Sequence, residues 1–263
     1  MLTIGDIRKY MTVWKQQTYR SGLEYCYAIK KDKQTYDLTI EVLQLQKLDD
    51  KAMDGTSVQN IPIKNEGKVD VIFTDIFWDI AGEYITPVYY VASIVKQCVK
   101  RNILNSEQVA GIVGRGLRSL PSFLREMDLT YKISCLFPEA EITNGPEQDV
   151  SEHTDILIKN GNIEYRLWSY QNFERGLNNT ASRFYGRRGK VPKGYHILCP
   201  IDIGNSAEVE EVDGWYFYSD RYVKYIYDMI SIEKPDEYET IARLQEYAMK
   251  IYLKKANVVY KRN

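Results

Sequence analysis

The segment SEHTDILIKNGNIEYRLWSYQ, residues 151–171, carries side chains whose types and spacing suit metal-assisted chemistry. Asp155 heads one apolar run, and Glu164 and Arg166 lie in the next one. Two carboxylates held close together can bind Mg²⁺, which keeps several waters and can polarise a phosphate and deprotonate an attacking water. Arg166 is too basic to serve as a base, but its guanidinium can stabilise charge that develops on phosphate. The residue types therefore predict phosphodiester hydrolysis.

A hairpin is the element that would bring these side chains together. Asn160 and Gly161 separate the two apolar runs, and both accept the positive φ of a type I′ turn. With these two residues as the turn, Asp155 lies opposite Arg166, and Glu164 is its diagonal neighbour on the same face. That geometry permits a shared metal ion. It equally permits an ordinary cross-strand ion pair of Asp155 with Arg166 on a solvated face, worth ~0.2–1 kcal/mol.

A second register of the hairpin is also open. A bulge of one residue would bring Ser169 and Gln171 to the Asp155 face in place of Glu164 and Arg166. The sequence SYQ then offers no second carboxylate. In that register the hydrolytic site is inactive or atypical.

Acidic and basic side chains are segregated on the two sides of the hairpin. The acidic stretch before it contains Glu139, Glu141, Glu147, Asp149, Glu152 and Asp155. The segment after it contains one acidic residue, Glu174, and six basic residues, which are Arg175, Arg183, Arg187, Arg188, Lys190 and Lys193. Glycines and aromatic residues among these cations would let the backbone approach a polyanion and let rings stack on bases. We predict contact with nucleic-acid phosphates; a solvated charged loop is the alternative.

Before residue 85 the pattern favours strands. In TYDLTIEV, the apolar residues Tyr36, Leu38, Ile40 and Val42 alternate with polar ones, and VDVIFTDIF (69–77) alternates in nearly the same way. From Thr86-Pro87 the period becomes helical, and further helices are predicted from Ser106 and from near Ser119, where Pro121 would fall in a first turn. We therefore expect a β-rich portion over 1–84, followed by a helical layer.

The remaining residues predict an α/β domain over 85–263. Strands are predicted in the hairpin, in GYHILCPIDI (194–203) and in DGWYFYS (213–219), and helices from Asp220 and from Pro235. Together the patterns predict an α/β (α+β) fold with a mixed sheet flanked by helices.

Bulk composition excludes several classes of protein. The chain has 263 residues, a formal net charge of -1 and four cysteines without a CxxC pair, which argues against structural zinc and against a global attraction to nucleic acid. The longest largely apolar run, at 85–95, is far short of the ~20 residues of a membrane-spanning helix. We expect a cytoplasmic protein without a membrane partner.

The order of these elements resembles the PD-(D/E)xK nuclease superfamily, which includes restriction endonucleases and phage-defence nucleases. The resemblance covers roughly residues 86–205 and rests on TDILI, EYRLWSYQ and GYHILCPI with the basic segment between them. It implies a restriction-endonuclease-like mixed sheet, with Asp155 and Glu164 as metal ligands and catalytic residues, and Glu126 on the preceding helix as an accessory catalytic carboxylate. Arg166 departs from the pattern, because the family has lysine at this position.

The resemblance implies a Mg²⁺-dependent DNA endonuclease of the restriction or phage-defence type, with DNA as its partner. The alternative is a catalytically inactive nuclease-like fold that binds nucleic acid or a partner protein. A third reading is an assembly protein in which Arg183, Arg187 and Arg188 pair with the acidic stretch. The sequence leaves a monomer or a homodimer open.

Overall fold

The computed structural model describes eight stretches of the chain, residues 29–46, 73–80, 87–145, 154–171, 194–201, 207–212, 215–231 and 261–262. The chain divides into two compact units, one comprising Met1–Leu124 and Val212–Trp215, the other Arg125–Glu211 and Tyr216–Asn263. Helices dominate the described part of the first unit. The second unit carries a mixed β-sheet.

The first unit is helical in its described residues. After a short 3-10 helix, Ile29–Lys31, come helices α1 (Lys33–Gln46), α2 (Phe73–Ile80), α3 (Pro87–Lys100) and the first part of α4 (Ser106–Leu136). Helix α3 begins at Pro87, as the Thr86-Pro87 pair predicts, and nearly all of its side chains are buried or half-buried. Phe77 of α2 stacks on Phe123 of α4, with ring centroids 5.0 Å apart.

The prediction of a β-rich N-terminal portion is wrong. Residues 33–46, which include TYDLTIEV, form α1, and its buried side chains recur at helical spacing, at Thr35, Leu38, Val42 and Gln46. Two of these residues are polar, so a count of apolar residues alone missed the helical period. Asp32 caps the helix by accepting hydrogen bonds from the backbone and the hydroxyl of Thr35.

The second predicted strand is also not a strand where the structure describes it. Residues 73–80 of the VDVIFTDIF region form α2, with Ile76, Phe77 and Ile80 buried on one side. Their spacing is helical, so the period-two reading of this stretch was wrong. Residues 69–72, which belong to the same prediction, lie outside the described part.

A single helix replaces the two helices predicted from Ser106 and Ser119. Helix α4 continues to Leu136 through Pro121. Proline removes one helical hydrogen bond and crowds the preceding turn. The buried side chains Leu117, Leu120 and Leu124 stay in phase across it, so packing keeps the helix continuous.

Gly116 of α4 provides a stability test for the first unit. A Cβ placed there would lie 2.4 Å from Ile94 Cδ1 and 3.0 Å from Phe73 Cδ1. Ile94 is fully buried and has little room to yield, so overpacking should outweigh the better helix propensity of alanine. We expect Gly116→Ala to lower the free energy of unfolding by about 1–2 kcal/mol, measured by urea denaturation. Adding Ile94→Val removes Cδ1 and should reduce the loss of stability that Gly116→Ala causes. If Gly116→Ala lowers the free energy of unfolding equally in the wild-type and Ile94→Val backgrounds, overpacking against Ile94 is not the cause.

The second unit is built on a five-stranded sheet of order β1-β2-β3-β4-β7. Its strands are β1 (Glu141–Thr143), β2 (Ile156–Asn160), β3 (Ile163–Gln171), β4 (Gly194–Ile201) and β7 (Lys261–Arg262). All neighbours are antiparallel except β3 and β4, which are parallel. Strands β5 (Val209–Val212) and β6 (Trp215–Tyr218) form a separate pair, followed by helix α5 (Asp220–Ile230).

These elements confirm the strands predicted in the hairpin, in GYHILCPI and in WYFY, the helix from Asp220, and the mixed sheet. One face of the sheet packs on Leu129 and Ile133 of α4 and on the apolar side of α5. The sheet contributes to this core Ile156, Ile158, Tyr165, Leu167, Ile197, Cys199 and Ile201. The helix predicted from Pro235 lies outside the described residues.

Candidate functional site

The hairpin forms as predicted, but its register is shifted. Gly161 has φ +61° and begins the turn with Asn162, while Asn160 belongs to the ladder and pairs with Ile163. Leu157, and not Asp155, therefore lies opposite Arg166. The predicted juxtaposition of Asp155 with Arg166 is wrong, because the turn sits one residue later than the Asn-Gly cue placed it.

Asp155 is a buried residue at the end of the β2–β3 ladder. Its backbone N–H donates to the Leu167 carbonyl over 3.2 Å, and its Oδ2 accepts the backbone N–H of Ser169 at 2.5 Å. The carboxylate thus extends the ladder beyond the last backbone pair, Ile156 with Leu167. Ser169 is brought beside Asp155 by the shifted turn, without the bulge that the sequence would have required.

Glu164 and Arg166 lie further along the sheet. Glu164 stands opposite Lys159, and its Oε2 accepts from Arg166 Nη2 at 2.8 Å. Four residues separate Asp155 from Lys159, or ~13 Å along a strand. The two predicted metal ligands, Asp155 and Glu164, therefore occupy different parts of the ladder, and Glu164 neutralises the largely buried guanidinium of Arg166.

Polar atoms continue from Asp155 into the core. The fully buried Tyr218 donates its hydroxyl to the Cys199 carbonyl over 2.7 Å, and its Oη lies 2.7 Å from Ser169 Oγ. A phenol has one proton, so the serine hydroxyl donates to the tyrosine. Ser169 then gives its N–H to Asp155 and its O–H to Tyr218. We call Asp155, Ser169 and Tyr218 the carboxylate–hydroxyl cluster.

Two charged side chains of α4, Arg125 and Glu126, act electrostatically on Tyr218. Burial raises the pKa of Tyr218 well above its ordinary value; against that background Arg125 lowers it and Glu126 raises it. Glu126, the predicted accessory carboxylate, is half-buried on α4. Burial and the charge of Asp155 raise the pKa of the Cys199 thiol, which is therefore protonated and poorly nucleophilic.

Lys132, also on α4, is enclosed by acceptors. Its Nζ lies 3.0 Å from Glu210 Oε2, 2.9 Å from Asp220 Oδ1 and 3.5 Å from Asp128 Oδ2, and it donates to the Tyr218 carbonyl at 2.7 Å. Burial alone would lower the pKa of Lys132, but these carboxylates raise it above its ordinary value. We call these four side chains the Lys132 cluster.

The six cations predicted to bind nucleic acid, Arg175, Arg183, Arg187, Arg188, Lys190 and Lys193, lie outside the described residues. They follow β3 directly in the sequence and precede β4. Among the residues that the structure does describe, no three His, Cys, Asp or Glu side chains are grouped as metal ligands. The described contacts that lead away from the Asp155 carboxylate are hydrogen bonds, first with the Ser169 N–H and then, through the Ser169 hydroxyl, with Tyr218.

Sequence reasoning did not find Tyr218, Arg125 or Lys132. Each is distant in sequence from Asp155 and looks like an ordinary packing or surface residue in its own segment. Ser169 was reached only through the bulged register. One available signal was the spacing of Arg125 and Lys132, seven residues apart and thus on one face of a helix.

Comparisons of this chain with protein-family models, with curated proteins and with solved structures found no match. None of the described helices is long and apolar enough to cross a membrane. The cluster at Asp155 and the basic segment that follows β3 are the two features from which an activity can be inferred.

Proposed function

We propose that this chain binds nucleic acid through its basic segment, on a nuclease-like sheet that does not hydrolyse phosphodiesters. The observation that carries the proposal is the contact of Asp155 Oδ2 with the Ser169 N–H, with a serine, and no second carboxylate, beside it on β3. Through this hydrogen bond Asp155 has a structural role that requires no metal ion, because its Oδ2 holds the backbone of β3 against the start of β2. This favours the non-catalytic reading that the sequence left open.

Phosphate binding is supported by the charge of the segment between β3 and β4. Six cations against Glu174 provide local attraction that the overall charge of -1 does not. In open α/β sheets, ligands commonly bind beyond the carboxyl ends of the strands, and the segment follows the carboxyl end of β3, which is parallel to β4. Phe173, Phe184 and Tyr185 in the same segment supply stacking surfaces for unpaired bases.

The first test is binding of fluorescent single-stranded and duplex DNA, measured against salt concentration. The double variant Arg187→Ala/Arg188→Ala should raise the Kd about tenfold. It should also reduce the slope of log K against log[salt] by up to ~2, because a protein that contacts fewer phosphates releases fewer counterions from the DNA on binding. The matched control is Lys96→Ala/Lys100→Ala, which removes two exposed cations of α3 and should change neither quantity. Equal effects of the two variants would refute a specific role of the segment.

A Mg²⁺-dependent DNA endonuclease is the second candidate. Its specific support is that Asp155 and Glu126 both act on the Ser169–Tyr218 pair, the first through the Ser169 N–H and the second through its charge. Plasmid cleavage with Mg²⁺ or Mn²⁺, beside Asp155→Asn and Glu126→Gln, separates the candidates. Cutting that both substitutions abolish, while DNA binding persists, would establish the enzyme and a need for both carboxylates. DNA binding without cutting supports the first proposal, and neither activity would favour a protein-interaction module.

A further inference from the structure

Tyr218 connects the two parallel strands of the sheet near their carboxyl ends. Ser169 of β3 and Cys199 of β4 are partners in the parallel register. The Tyr218 hydroxyl contacts both of them, since it lies 2.7 Å from Ser169 Oγ and donates to the Cys199 carbonyl over 2.7 Å. One phenol group therefore ties a side chain of β3 to the backbone of β4. We call these two hydrogen bonds the Tyr218 bridge.

Tyr218 is itself held in place by neighbouring elements of the second unit. Its carbonyl accepts a hydrogen bond from Lys132 Nζ at 2.7 Å, and the next residue, Ser219, donates its N–H to the Glu208 carbonyl at 2.8 Å. The Tyr218 ring packs against Tyr222 of α5, with ring centroids 5.2 Å apart. Because Tyr218 is fully buried, a group of the bridge that lost its partner in this core would not regain one from water.

The Tyr218 bridge lies close to the point where the basic segment leaves the sheet. Strand β3 ends at Gln171, two residues after Ser169, and the basic segment follows directly. Ser169 is fixed on two sides, because its N–H donates to Asp155 Oδ2 and its hydroxyl bonds to Tyr218. Fixing the base of a binding segment reduces the conformational entropy that is lost when the segment binds its ligand.

We infer that Tyr218 is a positioning residue, which fixes the end of β3 and thereby the start of the basic segment. Tyr218 acts through the two strands and does not touch the nucleic acid. Its role at the end of β3 follows from the hydrogen bonds of the bridge. Its effect on nucleic-acid binding rests on the proposed function.

The first measurement is amide hydrogen exchange of the whole protein without DNA. Tyr218→Phe keeps the ring and removes both hydrogen bonds, so we expect about tenfold faster exchange in residues 169–171 and 199–201, and no change in residues 165–167. The matched control is Tyr222→Phe, which removes a hydroxyl from the neighbouring buried ring and should leave all three stretches as in the wild type. Unchanged exchange at the strand ends, or equally faster exchange throughout the sheet, would overturn the inference.

The second measurement is the Kd for fluorescent single-stranded DNA, at a temperature at which each variant is folded. Tyr218→Phe should raise the Kd about three- to tenfold, and Tyr222→Phe should not change it. Ser169→Ala keeps the bond from Tyr218 to the Cys199 carbonyl and should have a smaller effect; it replaces Tyr218→Phe if that variant does not fold.

Two results would contradict the effect on binding, and they have different meanings. If the strand ends exchange faster in Tyr218→Phe while the Kd stays at the wild-type value, Tyr218 does not position the basic segment. If the wild-type protein binds no DNA, the proposed function fails together with the effect of Tyr218 on binding. The hydrogen exchange of Tyr218→Phe would still show whether Tyr218 fixes the end of β3.

Discussion

Lys132→Met should lower the free energy of unfolding by about 3 kcal/mol, because it removes the cation that contacts the carboxylates of the Lys132 cluster. Asp128 is 1% exposed and dominates the loss, while the exposed Asp220 contributes little. The variant also removes the donor to the Tyr218 carbonyl. The free energy of unfolding is measured by urea denaturation. An m value equal to that of the wild type would show that the variant changes stability and not the surface exposed on unfolding.

The control for this prediction is Lys224→Met. Lys224 pairs with Asp228 on α5 at 2.7 Å, but both side chains are more than half exposed, and such a pair contributes at most ~0.5 kcal/mol. Combining Lys132→Met with Asp128→Asn should recover part of the stability, because the buried charge disappears together with its partner. A loss from Lys132→Met no larger than that from Lys224→Met would show that the Lys132 cluster is not a stabilising feature.

The direction of the pKa shift of Lys132 adds a pH dependence. A folded-state pKa above the ordinary 10.5 means that the ammonium is more stable in the folded protein than in the unfolded chain. This contribution is fully present below pH ~10.5 and is lost as the pH rises through the higher folded-state value. Wild-type protein should therefore lose more stability on the alkaline side than Lys132→Met does.

Asp155→Ala should lower the free energy of unfolding by about 1.5–3 kcal/mol, since it leaves the Ser169 N–H without its charged acceptor. Asp155→Asn should cost less than ~1 kcal/mol, because the amide oxygen can still accept that hydrogen bond. A larger loss for Asp155→Ala than for Asp155→Asn, measured by urea denaturation, would show that Asp155 stabilises the hairpin through its hydrogen bond. Equal losses would mean that the negative charge, and not the hydrogen bond, fixes this end of the hairpin.

In the hairpin, the two strands could be predicted from the sequence but their register could not. The two apolar runs on either side of Asn160 and Gly161 predict both strands, and the structure confirms the strands. In the structure the alternating residues Ile156, Ile158, Tyr165 and Leu167 face the core. The predicted and the observed pairing differ by two residues, because Arg166 pairs with Leu157 instead of Asp155. A shift of two residues leaves every side chain on the same face, so the alternation of apolar residues fits both registers. Only the turn distinguishes them, and Gly161 can serve as the first turn residue as readily as the second. A shift of one position at the turn decided which side chain lies opposite Arg166.

The N-terminal helices and the site depended on information that a local pattern does not hold. Thr35 and Gln46 occupy buried positions of α1, where Asp32 accepts the Thr35 hydroxyl and the Ala110 carbonyl accepts Gln46 Nε2. The apolar residues alone therefore gave the pattern of a strand. The carboxylate–hydroxyl cluster joins the residue before β2 to β3 and β6. Its contact between Ser169 and Tyr218 spans 49 residues of sequence and follows from packing of the whole second unit.

The single parallel pair in the sheet also has a consequence for the time course of folding. Strands β2 and β3 need only a two-residue turn, and such hairpins form in roughly 1–10 μs. Strand β4 instead pairs with β3 across a connection of more than twenty residues. Closing this loop costs conformational entropy before any hydrogen bond between the two strands forms. Until then the edge of β3 is unpaired, and the cations that follow β3 in the sequence would repel a second chain carrying the same charges. Charge that we assign to ligand binding would thus also protect the nascent sheet from self-association.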